Sequence, residues 1–458
     1  MDHQQLCYYD FTSLYPWVNK YARYPTRHPE FIYNPTNQNI RDYFGLATCT
    51  LLPPCDLFHP VLPYRCGQKL VFPLCRTCAE DNITKPLLEK QWGYDHTPEQ
   101  RQLTGTWCTP EIVKALDKGY TLVHLHEVWH FVSNTVGLFK TYVDTWLKIK
   151  EEASGFPDNC TTDAQRRQHV DDYQAREGIR LDIHNIGKNP GRRAVAKLML
   201  NSMWGKFGQR LDKTHVEEFT DPRAMHDFLA SGRHKISYVS PITDERVEIY
   251  YKDHEPAIDV NVNLNIFVAC FTTCWARLKL YEELDRLGDR VVYFDTDSII
   301  FTKAVQEGQY QPPLGKYLGE FKDELKGDRI LEFCSGGPKN YGYRTARGTV
   351  ECKVRGFTLN REGSQQLNLG IMINNVQNEV LQPLDDGQVR TIRVNERTKI
   401  VRHSKTYELF TLPRHKTYRL VANKRIFPPA EHPDPYTSYP YGYRFPEEEL
   451  QEEPMDTL

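Results

Sequence analysis

The first residues that could do chemistry are acids spaced to share a divalent cation. In Val291-Val292-Tyr293-Phe294-Asp295-Thr296-Asp297-Ser298-Ile299-Ile300-Phe301, two runs of β-branched and aromatic residues flank an Asp-Thr-Asp-Ser turn, which predicts a β-hairpin. Asp295 and Asp297 are two residues apart, so where the chain is still extended they point to one side. Hydrophobic flanks bury the hairpin, and two acids at its tip are costly there unless something neutralises them. A divalent cation would do so. The same stretch also suits a solvated turn, because Asp and Ser are ordinary turn formers. A third carboxylate facing the hairpin would separate the two readings. Asp10 is the candidate, at the end of the strand-like Leu6-Cys7-Tyr8-Tyr9-Asp10-Phe11, where Thr12-Ser13-Leu14-Tyr15-Pro16 turns the chain away.

Cations come next. Asn189-Pro190-Gly191 opens a helix over Arg192–Gly208 in which Arg193, Lys197, Asn201 and Trp204, spaced by four, four and three, line one face. Val195, Leu198, Met199 and Ser202 lie largely on another face. A charged stripe is usually solvated surface, but an Asn and a Trp that continue it do not serve solubility.

A third group is sulfur. Residues 17 to about 135 hold Cys49, Cys55, Cys66, Cys75, Cys78 and Cys108, and Cys75-x-x-Cys78 has zinc-knuckle spacing that Cys66 and His96 could complete to four ligands. No second CxxC follows, so buried cysteines acting as small hydrophobes compete with that reading. His126-Glu127-Val128-Trp129-His130 matches HExxH, a zinc motif that needs a helix. Tyr120–Phe131 is rich in strand formers instead, and a strand holds the two histidines roughly 13 Å apart, too far for one ion.

The elements that must position these groups are those of a 458-residue chain, enough for two or three subdomains. Hydrophobic residues at 40% and charged residues at 26% are ordinary for a globular protein. A net charge of −2 excludes a global basic signature, so any nucleic acid must sit in a local basic channel. No apolar run approaches the roughly 18 residues of a membrane helix, and Met1–Gln5 is no signal peptide. Twelve cysteines without a secretory context predict reduced thiols in nucleus or cytoplasm, not secretion. Helices are expected at Val136–Ala153 and, as an amphipathic helix, at Asn265–Leu287. About 158 to 178 reads as a polar stretch, and about 209 to 260 as an extended hairpin with strands at Lys235–Val239 and Val247–Tyr251. A more helical basic segment ends near Lys424-Arg425, and the Pro-, Tyr- and Glu-rich tail beyond it reads as disordered.

Three motifs now stand in order: Asp10-x-x-Ser13-Leu14-Tyr15-Pro16, Lys197-x3-Asn201-Ser202-x-x-Gly205 and Tyr293-x-Asp295-Thr296-Asp297-Ser298. They resemble motifs A, B and C of family B DNA polymerases, and Lys339-Asn340-Tyr341 resembles that family's Lys-x-Tyr motif. The resemblance implies an α+β right-hand fold of palm, fingers and thumb with an antiparallel palm sheet. Its parts would be 1–16 palm start, 17–135 a palm insertion with the candidate zinc knuckle, 136–208 fingers, 209–260 a second insertion, 261–357 palm, 358–430 thumb and 431–458 a disordered acidic tail. It implies nucleotidyl transfer from a dNTP to a primer hydroxyl on two Mg²⁺ ions, with Mn²⁺ able to substitute. Asp10, the Phe11 carbonyl and Asp297 would hold the metals, with Asp295 the weaker third acid. Arg193 and Lys197, joined by Lys150, would bind the triphosphate. Tyr15 would reject a ribose 2′-OH, Asn201 and Trp204 would shape the base-pair pocket, and Lys339, Tyr341 and Lys206 would contact DNA.

Both insertions resemble the terminal-protein regions of protein-primed members found in viruses, linear plasmids and self-synthesising transposons, which implies a priming protein as partner. Trp204 stands where a Tyr is common. Only nine residues precede Asp10 where the family places a 3′–5′ exonuclease, so proofreading is not expected in this chain and a fragment is one reading of it. The alternative function is an idle remnant that only binds DNA or a partner protein.

Overall fold

The structure is a computed structural model that describes residues 5–85, 90, 95–210, 214–243, 245–253, 264–306, 308–381, 390–402, 406–428, 432, 434 and 436–445. β1 (Leu6–Phe11) leads into α1 (Leu14–Tyr21), followed by β2 (Arg23–Pro25), β3 (Glu30–Tyr33), β4 (Gly45–Leu52), β5 (Tyr64–Cys66) and β6 (Lys69–Val71). Then come α2 (Arg76–Asn82), α3 (Pro98–Arg101), β7 (Leu103–Cys108), α4 (Thr109–Asp117), β8 (Thr121–His130) and β9 (Asn134–Val136). Three helices follow, α5 (Lys140–Glu152), α6 (Asp163–Glu177) and α7 (Pro190–Phe207). β10 (His215–Phe219), α8 (Pro222–Ala230), β11 (His234–Thr243) and β12 (Arg246–Asp253) precede the long α9 (Ile266–Leu287). The chain goes on through β13 (Val291–Asp295), β14 (Ser298–Thr302), β15 (Phe321–Asp323), β16 (Ile330–Ser335), β17 (Asn340–Thr345) and β18 (Val350–Val354). It closes with α10 (Arg361–Gln366), α11 (Leu369–Leu381), β19 (Thr391–Arg402) and β20 (Leu409–Arg419).

An antiparallel sheet in the order β13-β14-β1-β16-β17-β18, with β15 also paired to β1, organises the molecule. Strand alternation sorts its side chains. Tyr9, Phe11, Ile299 and Phe301 face one side and form a core with Leu14 and Val18 of α1 and Phe271, Cys274, Leu278 and Leu284 of α9. Tyr8, Ile300, Tyr341 and Tyr343 share the other side. A second sheet, β3-β8-β4-β7, packs its own core with α4 and with Tyr281 from α9. α9 is therefore buried on more than one side, which corrects the expectation of an amphipathic helix: a helix between two layers has no polar stripe to show.

Lys20 of α1 is buried, with its ammonium 2.8 Å from Asp144 of α5 and 3.2 Å from Glu177 of α6. It also donates to the Glu177 carbonyl at 2.6 Å, and the Leu318 N–H reaches the same carboxylate at 2.7 Å. This pair ties the helices α5 and α6 to the start of the chain.

Other expectations need correcting. The helix placed at Val136 starts at Lys140, because Gly137 at φ 75° breaks the chain between β9 and α5. The polar stretch at 158–178 contains α6, which a Thr162/Gln165 capping box starts and Gly178 ends, although Val170 and Tyr173 are the buried apolar residues on it. The 209–260 segment has the expected strands and also α8. The basic segment expected to be helical up to Lys424 is helical only to Leu381 among the described residues. Beyond it the β19–β20 hairpin turns Val394 and Tyr418 inward with a strand's alternation. The tail is not disordered over 436–445. Its aromatic residues gain more from burial than the chain loses in entropy, Tyr441 is fully buried, and Tyr439 bridges Ile426. Residues 446–458 lie outside the described residues.

Candidate active site

Pairing places the acids. β1 runs antiparallel to β14 with Asp10 opposite Ser298, and the Phe11 N–H donates to the Asp297 carbonyl at 2.8 Å. Asp297 sits in the β13–β14 turn, held by its own N–H to the Asp295 carbonyl at 2.6 Å while Thr296 takes φ 58°. Asp10 and Asp295 follow Tyr8 and Tyr293 by two residues, so they emerge on the tyrosine side of the sheet, opposite the helices. Asp295 ion-pairs with Lys339 at 3.3 Å, and the Lys339 N–H donates to the Tyr293 hydroxyl at 2.9 Å. The Tyr341 hydroxyl lies 3.1 Å from that of Tyr8, with Lys353 over both rings.

Electrostatics single out the same pair. Burial, with Asp297 and Glu324 nearby, pushes the Asp10 carboxyl up to about 7 against the pull of Lys322 and Lys197. Burial and Asp295 raise Asp297 as well. Two half-buried carboxylates that shift this way lack a full complement of positive charge. Their donor atoms are hard oxygens, which suit Mg²⁺ or Mn²⁺ and not a soft metal.

α7 brings the cations. Asn189 caps its first turn, accepting from the Arg192 N–H at 3.0 Å. Ala196 and Leu200 are its buried residues, Leu200 packing against Val143 and Leu147 of α5. Arg193, Lys197 and Asn201 are exposed, and Lys197 lies within electrostatic reach of Asp10. On the other face Val195 and Leu198 are exposed. Trp204 stacks on Tyr15 with ring centroids 4.4 Å apart and planes at 24°. Burial and the charge of Asp297 raise the Tyr15 hydroxyl, so this aromatic pair borders the acids. Lys150 stands apart: its buried side chain pairs with Glu151 at 3.3 Å, and Arg193 meets the end of α5 through Ser154 at 3.0 Å. Lys206 reaches Gln209 at 2.6 Å.

Sequence reasoning missed Lys322 and Lys353. Lys322 faces Asp10 only through the register of the three-residue β15, and Lys353 only through the β17–β18 pairing, and neither carries a local pattern.

The sulfur group assembles in part. Cys75 Sγ and Cys78 Sγ lie 3.3 and 3.2 Å from His96 Nδ1. Cys66 is not within ligand distance of them, which corrects the four-ligand set: it sits on the β5–β6 hairpin opposite Lys69 and fills the same apolar cluster as a small hydrophobe. His126 and His130 lie on strand β8, as their neighbours predict.

Residues 2–162 match the family described as DNA polymerase type B, organellar and viral. A probable DNA polymerase of Neurospora intermedia is 23% identical over 366 residues, covering 76% of this chain and 30% of that protein. A DNA polymerase of Kluyveromyces lactis is 26% identical over 168 residues, 34% of this chain and 16% of that protein. Phi29 DNA polymerase complexed with primer-template DNA and incoming nucleotide substrates superposes with a TM-score of 0.53 at 14% identity, covering 91% of this chain and 58% of that one. Its complex with primer-template DNA alone gives 0.51 at 15%. The fold is thus the right-hand polymerase fold. The chain spans less than a third of the two relatives' length.

Proposed function

We propose that this chain, whose residues 2–162 match the organellar and viral type B DNA polymerase family, is a template-directed DNA-dependent DNA polymerase of that family. The observation that carries this reading is the convergence of Asp10, Asp297 and Lys197, from three distant segments, at one end of the antiparallel sheet.

Asp10, Asp297 and the Phe11 carbonyl would hold two Mg²⁺ ions, which supply activation of the primer hydroxyl and neutralisation of the triphosphate. Lys197 and Arg193 bind the triphosphate from the exposed face of α7, where a cation is worth most as charge moves to the leaving group. The Tyr15–Trp204 stack forms the floor and wall of the nucleotide pocket, with Tyr15 excluding a 2′-OH and Asn201 flanking the base pair. Asp295 is held by Lys339 and orients the turn. Lys339 and Lys353 sit beside Tyr341 on the tyrosine face, where they position the primer and template backbone. Lys206 adds a phosphate contact at the end of α7.

The insertions at 17–135 and 209–260 would serve a terminal priming protein and strand displacement. Deleting 213–255 then shortens products while single-nucleotide addition survives. Equal product lengths would remove that role. Primer extension with Mg²⁺ and dNTPs on a DNA template tests the main reading directly. Extension that is metal-dependent and abolished by Asp297→Asn supports it, and no extension from the wild type leaves the idle remnant that only binds DNA or a partner protein.

A further inference from the structure

Among the described residues, two clusters of ligand-type side chains lie away from the acid centre, and they differ in how they are neutralised. Cys108, Glu111 and Cys274 are buried together, but Arg277 donates to Glu111 Oε1 at 2.9 and 2.6 Å, so that cluster already has its cation. Cys75, Cys78 and His96 have a different setting. Their ligand atoms lie within 4.8 Å of one another, both cysteines are buried, and the nearest contacts are mutual. We propose that Cys75, Cys78 and His96 bind a structural zinc ion, with Cys66 outside the ligand set.

The geometry suits this metal. Thiolate and imidazole donors a little over 3 Å apart are close to the spacing of neighbouring corners around a tetrahedral zinc, whose bonds are about 2.0–2.3 Å. The Cys78 N–H donates to Cys75 Sγ at 3.4 Å, which orders the first ligand and stabilises its thiolate.

CxxC is also a redox motif, and the surroundings argue against that use. A thiol that exchanges disulfides must be reached by its partner. Here the returning chain lies over Cys75: the Leu74 and Cys75 N–H groups donate to the Tyr441 carbonyl at 2.8 and 3.2 Å. Gly442 is so close that a β-carbon on it would stand 2.3 Å from Cys75 Cβ, and its φ of +87° suits glycine as well. Tyr441, Tyr439 and Ile426 complete the apolar shell around the cysteines. Arg444 pairs with Asp95, beside His96, at 2.9 Å, and its N–H donates to the Cys55 carbonyl at 2.8 Å. The zinc would fasten the 436–445 strap onto the segment that carries α2.

The test uses the full chain purified from zinc-supplemented culture, with metal content by mass spectrometry and hydrogen exchange read at 439–443. Wild type and Cys66→Ser should each carry one zinc per chain, and Cys78→Ser and His96→Gln should lose most of it. In wild type, chelation should speed exchange in the strap about tenfold, and added zinc should reverse it. Co²⁺ in place of zinc should show the strong absorption of two thiolates, a readout that needs no variant to fold. A zinc-free wild type, zinc retained in Cys78→Ser, zinc lost in Cys66→Ser, or a Cys75–Cys78 disulfide in the freshly isolated protein would each overturn the proposal.

Discussion

Two groups of acids meet the first two elements of the chain, one at Asp10 on β1 and one at Lys20 on α1, and they are handled in opposite ways. Glu177 and Asp144 close on Lys20, whose ammonium is 3.2 and 2.8 Å from them and almost wholly buried. Asp10 and Asp297 share the end of the sheet, where burial first and neighbouring carboxylates second push both carboxyls up. A protein that neutralises one acid pair internally and leaves the other short has separated structure from function. The first pair holds helices together, and the second is the one we propose to hold the metal ions. His59 shows a third solution. Buried with Nε2 2.8 Å from the Gly288 carbonyl, it is driven down from 6.5 to about 4, so it stays neutral.

The contrast can be broken most sharply at Asp10 and Asp297. Asp297→Asn or Asp10→Asn should lower Mg²⁺-dependent primer extension on the order of a thousandfold or more while leaving metal-free thermal stability equal or higher. A clear loss of stability would place these acids with the structural kind. At the compensated pair the expectation inverts. Lys20→Met strands two acids and should cost about 3–5 kcal/mol in denaturant unfolding, and adding Glu177→Gln should recover part of it. A neutral effect of Lys20→Met would show that water already reaches this pair.

His59 sharpens the comparison by pH. Its folded value lies below its unfolded one, so between about 6.5 and 4 the unfolded chain takes up a proton that the native state refuses. Stability should therefore fall as pH drops through that window, by up to about 3 kcal/mol, and His59→Gln should flatten the fall. An unchanged pH profile in the variant would assign the acid sensitivity elsewhere. The smallest effect belongs to the half-exposed Lys339–Asp295 pair. Lys339→Ala should change stability by less than about 1 kcal/mol, yet lower extension roughly tenfold and reduce its salt dependence. A stability loss larger than the activity loss would reverse that assignment.

How far the residues alone could carry this reading depends on how local each signal is. The Val291–Phe301 hairpin, the α7 stripe and the strand nature of Tyr120–Phe131 are written in nearest-neighbour periodicity, and they appear where expected. α6 was missed because Val170 and Tyr173 leave too thin an apolar stripe to register, even though Thr162 and Gln165 signal its start. Val195 and Leu198 share a face of α7 apart from the charged stripe, yet both are exposed, and Leu200 is the residue that packs against α5. Register is the hardest: that Lys322 rather than a neighbour faces Asp10, or that Cys66 turns away from Cys75, follows from strand pairings that no local pattern reveals. The tail misled through its composition, since proline and glutamate suggest disorder while Tyr439, Tyr441 and Phe445 pack.

α9 has a consequence for how the molecule melts. It contributes Phe271 and Leu284 to the core beneath the acid-bearing sheet and Tyr281 to the core of the β3-β8-β4-β7 sheet. Unfolding either layer would strip one flank of the same 22-residue helix and expose apolar surface belonging to the other. The two sheets should therefore lose structure in a single cooperative transition, and heat capacity and circular dichroism should report one midpoint for both.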